Sequence, residues 1–570
     1  MRYHALACDY DGTIAHNGRV DPETIAALVR LRDSGRRLIL VTGRELKDLL
    51  TVFPHIELFD RVVAENGALV HCPATRQEKL LGERPPEPFV RALRERGVSP
   101  VAVGRVIVAT WKPHETTVLE VIRDLGLELH VTFNKDAVMV LPAGVSKATG
   151  LAEALRELGL SAHNVVGVGD AENDHAFLRL SECRVAVANA LPMLKDAADL
   201  VTRGDEGAGV RELIERLLAD DLRDLEPRLE RHNILLGTRT DGTEVLLQPH
   251  GISVLLVGSS GSGKSRLAAG VLERLAECEY QFCVVDPEGD YSELAEAIVL
   301  GDSQREPSVA EVLDILAKPW ENVVVNLLGI AVERRPAFFH ALLPQLQEFR
   351  AATGRPHWIV VDEAHHLLPA SSPVAALTLP RELEGILFIT VHPQLMAAPA
   401  LSAIDLMIAV GRSPESRIRA WSAMLGLQPA GLEPTTLEPG EALAWKRGED
   451  SPAFRFQMAS PRGVRRRHQR KYAEGKIPDY HSFYFRGPHG KLNLRAQNLN
   501  LFLQLADGVD DATWLHHLRR GDYSRWFRDV IRDEDLAAEA SRVERDPQLD
   551  AQATRAAIHA AVEQRYTHSA

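Results

Sequence analysis

The chain has 570 residues and a formal net charge of −13, with 45% hydrophobic and 25% charged residues. That length exceeds a single hydrophobic core and implies roughly three or four compact units, and the composition is that of a folded chain rather than a disordered one. The acidic balance excludes a protein that coats nucleic acid over its whole surface, so any nucleic acid would have to meet a local basic patch.

Cys8, Cys72, Cys183, Cys278 and Cys283 are odd in number and scattered. They lack the paired spacing of a zinc or disulfide framework, which fits a reducing compartment. The first residues lead straight into a strand pattern, and the longest apolar stretches fall short of the roughly 20 residues that span a bilayer. A soluble, cytoplasmic protein without a membrane partner is expected.

From Met1 to about Asp220, short apolar runs such as "HALACDYD", "RLILVTGR", "NVVGVGD" and "CRVAVAN" alternate with helical patterns such as "PETIAALVRLRDSG" and "SKATGLAEALRELGL". Strands alternating with crossover helices predict an α/β domain with a doubly wound parallel sheet, over residues 1–222. Between about residues 83 and 142 the pattern changes to a small α+β insertion, expected to act as a lid over the mouth of the sheet. The segment "EGAGVRELIERLLADDLRDLEPRLERH" reads as one charged helix leading into "NILLGTRTDGTEVLLQPHGISVLLVG", where Asp-Gly predicts a hairpin. A second α/β domain is placed at residues 223–460, and a mostly helical region of unknown role at 461–570.

The first chemical constellation begins at "CDYDGT". Asp9 and Asp11 close an apolar strand, where α/β sheets place ligands. One carboxylate can attack phosphorus, and the other, two residues on and read as lying on the same side of the strand, can protonate the leaving oxygen. Thr42 in "LILVTGRE" ends a second strand with a hydroxyl for a phosphoryl oxygen, and Lys147 in "PAGVSKATGL" opens a helix with a charge that can neutralise a developing anion. In "VVGVGDAENDHAFL", Asp170 and Asp174 follow another strand with carboxylates suited to a hard cation.

DxDGT, a strand-end Thr, a Lys and GDxxxD, in that order, resemble the haloacid dehalogenase superfamily of phosphatases. "AENGA" at residues 64–68, "GDAEND" and "VAVANALPMLKDAADLVT" are similar to its Cof-type branch, whose cap is inserted between the second and third motifs. The resemblance implies Asp9 as nucleophile, Asp11 as general acid and base, and Thr42 and Lys147 on the phosphoryl group. It implies Mg2+ held by Asp9, by Asp11 through its backbone carbonyl, and by Asp170, with Asn173 and Asp174 orienting the cluster. Ala171 stands where that family usually has Gly.

The second constellation, "VLLVGSSGSGKSRLAAGVLERL", is a strand, a glycine-rich turn and a helix matching GxxxxGK[ST]. Backbone amides of Gly258, Ser259, Ser260, Gly261, Ser262 and Gly263 can wrap phosphates, Lys264 can reach the outer ones and Ser265 can ligate Mg2+. "RPHWIVVDEAHHLLP" ends a strand in Asp362, a magnesium partner through water, and Glu363, which can activate water for attack on ATP. After "GILFITVHPQLM", His392 and Gln394 can sense the outer phosphate. With "FCVVDPEGDY", these stretches resemble the HerA/FtsK class of P-loop ATPases. That resemblance implies a RecA-like core, ATP with Mg2+, and a homo-oligomer, a hexameric ring, in which a neighbour supplies an arginine; Arg412 is the candidate. The large extra segments of DNA-pumping members are missing.

"RGVRRRHQRKYAEGK", beside the aromatic "YHSFYFRGPHG", is the dense positive run; it reads as a solvated linker, with single-stranded nucleic acid as the alternative. Trp514, Leu515 and Trp526 have the spacing of core or partner-facing residues. The expectation is an enzyme that couples a phosphatase for a phosphorylated small molecule to an ATP-hydrolysing module in one chain. The alternatives are an enzyme that processes nucleic-acid ends, or a DNA-associated motor or defence ATPase whose first domain regulates or docks.

Overall fold

The computed structural model describes residues 1–259, 261–370, 384–427, 429, 432–448, 452–461, 482–531 and 533–566. Ser260 and the basic run at 462–476 therefore lie outside the described residues. None of the described helices is long and apolar enough to cross a membrane.

The first sheet is built from β1 (Ala5–Cys8), β2 (Arg37–Val41), β3 (Arg61–Ala64), β4 (Leu69–Cys72) and β5 (Gln77–Leu80). After the insertion come β6 (Ala102–Val103), β7 (Val108–Trp111), β8 (Leu129–Asn134) and β9 (Ala137–Pro142), and then the sheet strands β10 (Val165–Gly169), β11 (Cys183–Ala186) and β12 (Leu200–Val201). The order across the first sheet is β12-β11-β10-β1-β2-β3-β4-β5. It is parallel from β12 to β3, and β4 and β5 run antiparallel at one edge, so the sheet is mixed rather than wholly parallel. β1, β2 and β10 are buried almost without break because helices cover both faces.

Strand register positions the site. Cys8 pairs with Val168 of β10 on one side and Leu40 of β2 on the other. Asp9 follows Cys8 directly, and Asp170 and Thr42 stand two places beyond Val168 and Leu40, so the three emerge close together at the carboxyl edge. The strand itself stops at Cys8, and the chain turns as the amides of Thr13, Ile14 and Ala15 converge on the Tyr10 carbonyl. Asp9 and Asp11 thus share no strand face, and the period-two argument for their proximity is corrected: a turn, not a pleat, relates them. β6 to β9 form a separate four-stranded sheet, order β6-β7-β9-β8, with the helices Glu87–Glu95 and Glu115–Asp124 and a core of its own.

The charged helix is shorter than its sequence suggests. It spans Glu206–Asp220 and stops where Asp221 and Leu222 take left-handed backbone angles. The break lets Asp221 accept a hydrogen bond from Arg36 at 2.8 Å while Leu222 and Leu225 sink into the first core.

The second sheet comprises β13 (Ile234–Thr238), β14 (Glu244–Leu247), β15 (Ser253–Gly258), β16 (Phe282–Asp286), β17 (Ile298–Leu300) and β18 (Val323–Asn326). It continues with β19 (Trp358–Val361), β20 (Ile386–Thr390), β21 (Leu406–Val410), β22 (Glu441–Lys446) and β23 (Phe454–Met458). Its order is β14-β13-β23-β22-β21-β15-β20-β19-β16-β18-β17, parallel from β21 to β17 and antiparallel beyond. Along β15, Leu255 and Val257 enter one core while Val254 and Leu256 enter another, which is why the run is apolar at every position. β13 and β14 pair across the Asp-Gly turn.

After residue 481, β24 (Phe483–Phe485) and β25 (Leu494–Ala496) pair beside the helices Leu499–Gly508, Asp511–Leu518, Glu534–Arg545 and Ala551–Tyr566. Trp514 and Trp526 are buried in their common core, and Leu515 packs against it.

Candidate active site

Lys147 is the hub of the first site. Ser146 caps the helix Lys147–Leu158 by accepting from the Thr149 amide, so Lys147 occupies its first turn. That helix lies close against the segment after β3: a Cβ on Gly67, whose φ is +101°, would stand 1.8 Å from the Ser146 carbonyl oxygen. The Lys147 ammonium, fully buried, lies 2.6 Å from Asp9 Oδ1 and 2.6 Å from Asp174 Oδ1. Asp174 Oδ2 accepts from the amides of Asp170 and Ala171, each at 2.9 Å. Both oxygens of Asp174 are thereby committed to orientation. Asp170 accepts from Thr13 Oγ1 at 3.3 Å and from Lys135 Nζ at 3.0 Å. Gly12 makes room for it, since a Cβ there would lie 2.5 Å from Asp170 Oδ2.

Ligand oxygens of Asp9, Asp170 and Asp174 all lie within 4.8 Å of one another. Burial, then the charge on Asp174, pushes the Asp9 carboxyl well above the ordinary carboxylate range despite Lys147. Asp170 is raised by burial and by Asp174, against the pull of Lys135. Burial alone would depress Lys147, but Asp174 and Asp9 outweigh it and raise its pKa. Buried carboxylates in this number need a dication, a proton or an ammonium to offset their repulsion. An all-oxygen cluster is the donor set that Mg2+ takes.

Asp11 is turned away from this cluster. Its carboxylate makes a two-pronged pair with Arg44, Oδ2 to Nε and Oδ1 to Nη2, both 2.7 Å. Thr42 is buried and its hydroxyl accepts from the Arg44 amide at 3.1 Å. Asn173 donates to Asn66 Oδ1 at 2.9 Å, and its own Oδ1 is buried with no hydrogen-bond partner among the described residues. Glu65, at φ +50°, accepts the amides of Arg105, Val106 and Ile107, so a buried carboxylate of the core holds a loop of the insertion.

Sequence reasoning passed over Arg44, Glu65 and Lys135 as site residues. Arg44 and Glu65 stood inside quoted stretches, and only the fold shows what each one meets.

In the second unit, Lys264 opens the helix Lys264–Glu277 and donates to the carbonyls of Gly258 at 2.9 Å and Ser259 at 3.1 Å. Ser262 Oγ donates to the Ser259 carbonyl at 2.7 Å, and Ser265 is exposed on the first turn. β15 and β19 flank β20, so the loop around Gly261 and Gly263 and the pair Asp362 and Glu363 open on the same edge of the sheet. Asp362 accepts the Glu363 amide at 2.9 Å, and Glu363 has a left-handed backbone, φ +41°. Pairing of Val285 with Val361 sets Asp286 beside Asp362. Asp286 accepts four amides, from Glu288 to Tyr291, yet burial pushes it up to about 6. Burial, with Asp286 and Asp290 nearby, also raises Asp362 well above the usual range. Gln394 and His392 sit exposed after β20, 3.4 Å apart, and His365 Nδ1 lies 3.0 Å from Thr390 Oγ1. Arg412 is exposed on the loop after β21.

Residues 6–110 and 118–214 match the family model of haloacid dehalogenase-like hydrolases. A phosphoglycolate phosphatase of Methanothermobacter thermautotrophicus is 31% identical over 222 residues, spanning 38% of this chain and 98% of the relative. The chain belongs to the haloacid dehalogenase-like hydrolase family. Among further relatives of this hydrolase, a phosphoglycolate phosphatase of Pyrobaculum aerophilum is 33% identical over 226 residues, 38% of this chain and 97% of that one. A solved haloacid dehalogenase-like hydrolase from Bacteroides thetaiotaomicron, 19% identical, covers 38% of this chain and 99% of its own, with a TM-score of 0.34. Residues 234–334 match the central domain of the helicase HerA. The hydrolase is thus a fusion, with the HerA-type segment following directly on the phosphatase-like one.

Proposed function

We propose that residues 1–222, with a cap at about 83–142, are a magnesium-dependent phosphatase that forms an aspartyl phosphate on Asp9 and acts on a small phosphorylated carboxylic acid. The observation that carries this reading is the Lys147 ammonium clamped between Asp9 and Asp174 inside a buried acid cluster.

Asp9 attacks phosphorus, the bond from phosphorus to the leaving oxygen breaks, and Asp11, protonated and released from its pair with Arg44, gives that oxygen a proton. Asp11 then takes a proton from water, whose oxygen attacks the phosphoryl group and releases inorganic phosphate and free Asp9. The Asp11 side chain is 40% exposed, which suits a group that must meet first the leaving group and then water. Thr42 and Lys147 hold phosphoryl oxygens. Asp9, Asp170 and the Asp11 carbonyl would hold Mg2+, which when bound neutralises charge on the transferring group. Lys135, half-exposed at the tip of a cap hairpin, brings a positive charge to the entrance, as an anionic substrate requires. The relatives' names, phosphoglycolate phosphatases, support the same substrate class.

Residues 223–460 are read as a RecA-like ATPase. Lys264 would meet the outer phosphates of ATP, Ser265 and Asp362 would hold Mg2+, Glu363 would activate water and Gln394 would sense the outer phosphate. Assembly as a ring and a cytoplasmic setting belong to this reading, with residues 461–570 as a third unit. The test is phosphate release from phosphoglycolate and a panel of phosphate esters with Mg2+, by wild type and Asp9→Asn. The wild type should turn over phosphorylated acids and the variant should not; release that persists in Asp9→Asn would sink the reading.

A further inference from the structure

Where the two sheets' units meet, four histidines gather around one buried carboxylate. Glu182, just before β11, is fully buried. His163 Nδ1, from the turn before β10, lies 2.8 Å from its Oε2, and His232 Nε2, from the connection to β13, lies 3.3 Å from the same oxygen. These three ligand atoms fall within 4.8 Å of one another. His250 Nε2, just before β15, is buried with no hydrogen-bond partner among the described residues, 3.5 Å from Glu182 Oε1. The fourth histidine, His357, is spent elsewhere: its Nδ1 accepts the Gln281 amide at 2.9 Å.

We propose that Glu182, His163 and His232 form a binding site for one zinc-class dication that staples the phosphatase unit to the ATPase unit. Ligand atoms about 2.0–2.1 Å from a tetrahedral zinc stand about 3.3 Å from each other. The separations of 2.8 and 3.3 Å from Glu182 Oε2 lie near that spacing. The outer face of the site has the arrangement that fixes a ligating imidazole. His163 Nε2 lies 2.6 Å from the Cys278 carbonyl, which fixes the ring with Nδ1 facing the carboxylate. The His163 ring is held flat on Tyr280 of the second unit, with centroids 3.7 Å apart. The positive centre between Nδ1 and the carboxylate is either a second proton on His163 or a cation, and a cation would also serve His232, whose Nε2 otherwise meets the Glu182 carbonyl at 3.2 Å. The nearby guanidinium of Arg2 does not occupy this position. It takes Glu182 Oε1 at 2.6 Å and shares its charge with Glu226 at 3.3 Å. Tyr280 Oη, 3.4 Å from Oε2, is a weak donor that a dication would outcompete. The mixed imidazole and carboxylate set selects a borderline ion such as Zn2+ or Co2+ over Mg2+.

The experiment uses the full-length chain without a histidine tag, dialysed with zinc or cobalt in the presence of excess Mg2+. Metal content is counted by mass spectrometry, and the Co2+ form is read by its visible absorption. Expected are one equivalent that excess Mg2+ does not displace, an intense four-coordinate Co2+ band, and a lowered thermal midpoint on chelation. His163→Ala and His232→Ala should each weaken this binding by at least about 10-fold, whereas Asp170→Asn, in the other acid cluster, should leave it intact. Absence of a tightly held equivalent from the wild type overturns the proposal whatever the variants do. So does its survival in the double variant His163→Ala and His232→Ala, which would leave a protonated His163 as the positive centre.

Discussion

Lys135, on the hairpin between β8 and β9 of the cap, reaches across to Asp170 of the core and donates to its carboxylate at 3.0 Å. A cap residue thus takes part in the charge balance of the acid cluster. Half-exposed and left-handed at φ +54°, it sits at the very tip of its hairpin. Lys135→Ala should lower kcat/KM for a phosphorylated carboxylic acid by about 10- to 100-fold, the worth of one charge-assisted hydrogen bond. A neutral phosphate ester should lose less. Steady-state kinetics on the two substrate classes checks this, and equal losses would remove Lys135 from substrate selection.

Glu65 ties the cap to the core through three backbone amides. Glu65→Ala leaves those amides buried without acceptors, a cost of roughly 2–4 kcal/mol when partial rehydration is allowed. The expected result is faster amide hydrogen exchange at residues 105–107 with β1 and β2 still protected. Uniform loss of protection over the whole first unit would instead mean that Glu65 supports global folding.

His4 is buried at the head of β1, and burial pushes its imidazole down to about 4, from an ordinary 6.5. The proton therefore favours the unfolded chain. The resulting stability is full above pH 6.5 and falls as pH drops toward 4, by up to ~3 kcal/mol. His4→Gln should flatten that part of the pH–stability curve, measured by urea unfolding at pH 7, 5.5 and 4.5. An unchanged slope would assign the acid sensitivity to other groups.

The two engines should separate by mutation. Lys264→Ala should abolish ATP hydrolysis while phosphate-ester turnover persists, and Asp9→Asn should do the reverse. Glu363→Gln should bind ATP but hydrolyse it at least about 100-fold more slowly, because water loses its base. Parallel ATPase and phosphatase assays read all three variants. If either Lys264→Ala or Asp9→Asn silences both activities, the sites are not independent.

Much of the first site was legible because its residues stand at strand ends. Asp9, Thr42 and Asp170 are brought together by register alone, and β1, β2 and β10 announce themselves as apolar runs. The glycine-rich loop after β15 and the pair Asp362 and Glu363 after β19 were readable as strand-end positions for the same reason. What the sequence hid are pairings between distant segments: Arg44 with Asp11, Glu65 with the cap loop, Lys135 with Asp170. Each depends on where a turn or hairpin is carried by the fold, and no local periodicity encodes that. The edge strands β4 and β5 escaped the parallel-sheet reading because direction is invisible in an alternation pattern. The histidines around Glu182 share no motif spacing, since each of them and Glu182 comes from a separate segment of the chain.

The helix Lys147–Leu158 has a different neighbour at each end. At its amino end Lys147 touches Asp9; at its carboxyl end the Gly159 carbonyl accepts from Arg355 of the ATPase unit at 2.6 Å. Arg355 also grips Gln281 Oε1 and the Leu316 carbonyl, so it is anchored firmly on its own side. A helix of this length is a stiff strut of about 18 Å. Phosphatase turnover with and without ATP, in wild type and Arg355→Ala, shows whether the strut carries force. An ATP response identical in both would leave it a passive spacer. Any rocking of the HerA-type unit that drags Arg355 along would push or pull the ammonium against the Asp9 carboxylate, making the first site a mechanical reporter of the state of the unit next door.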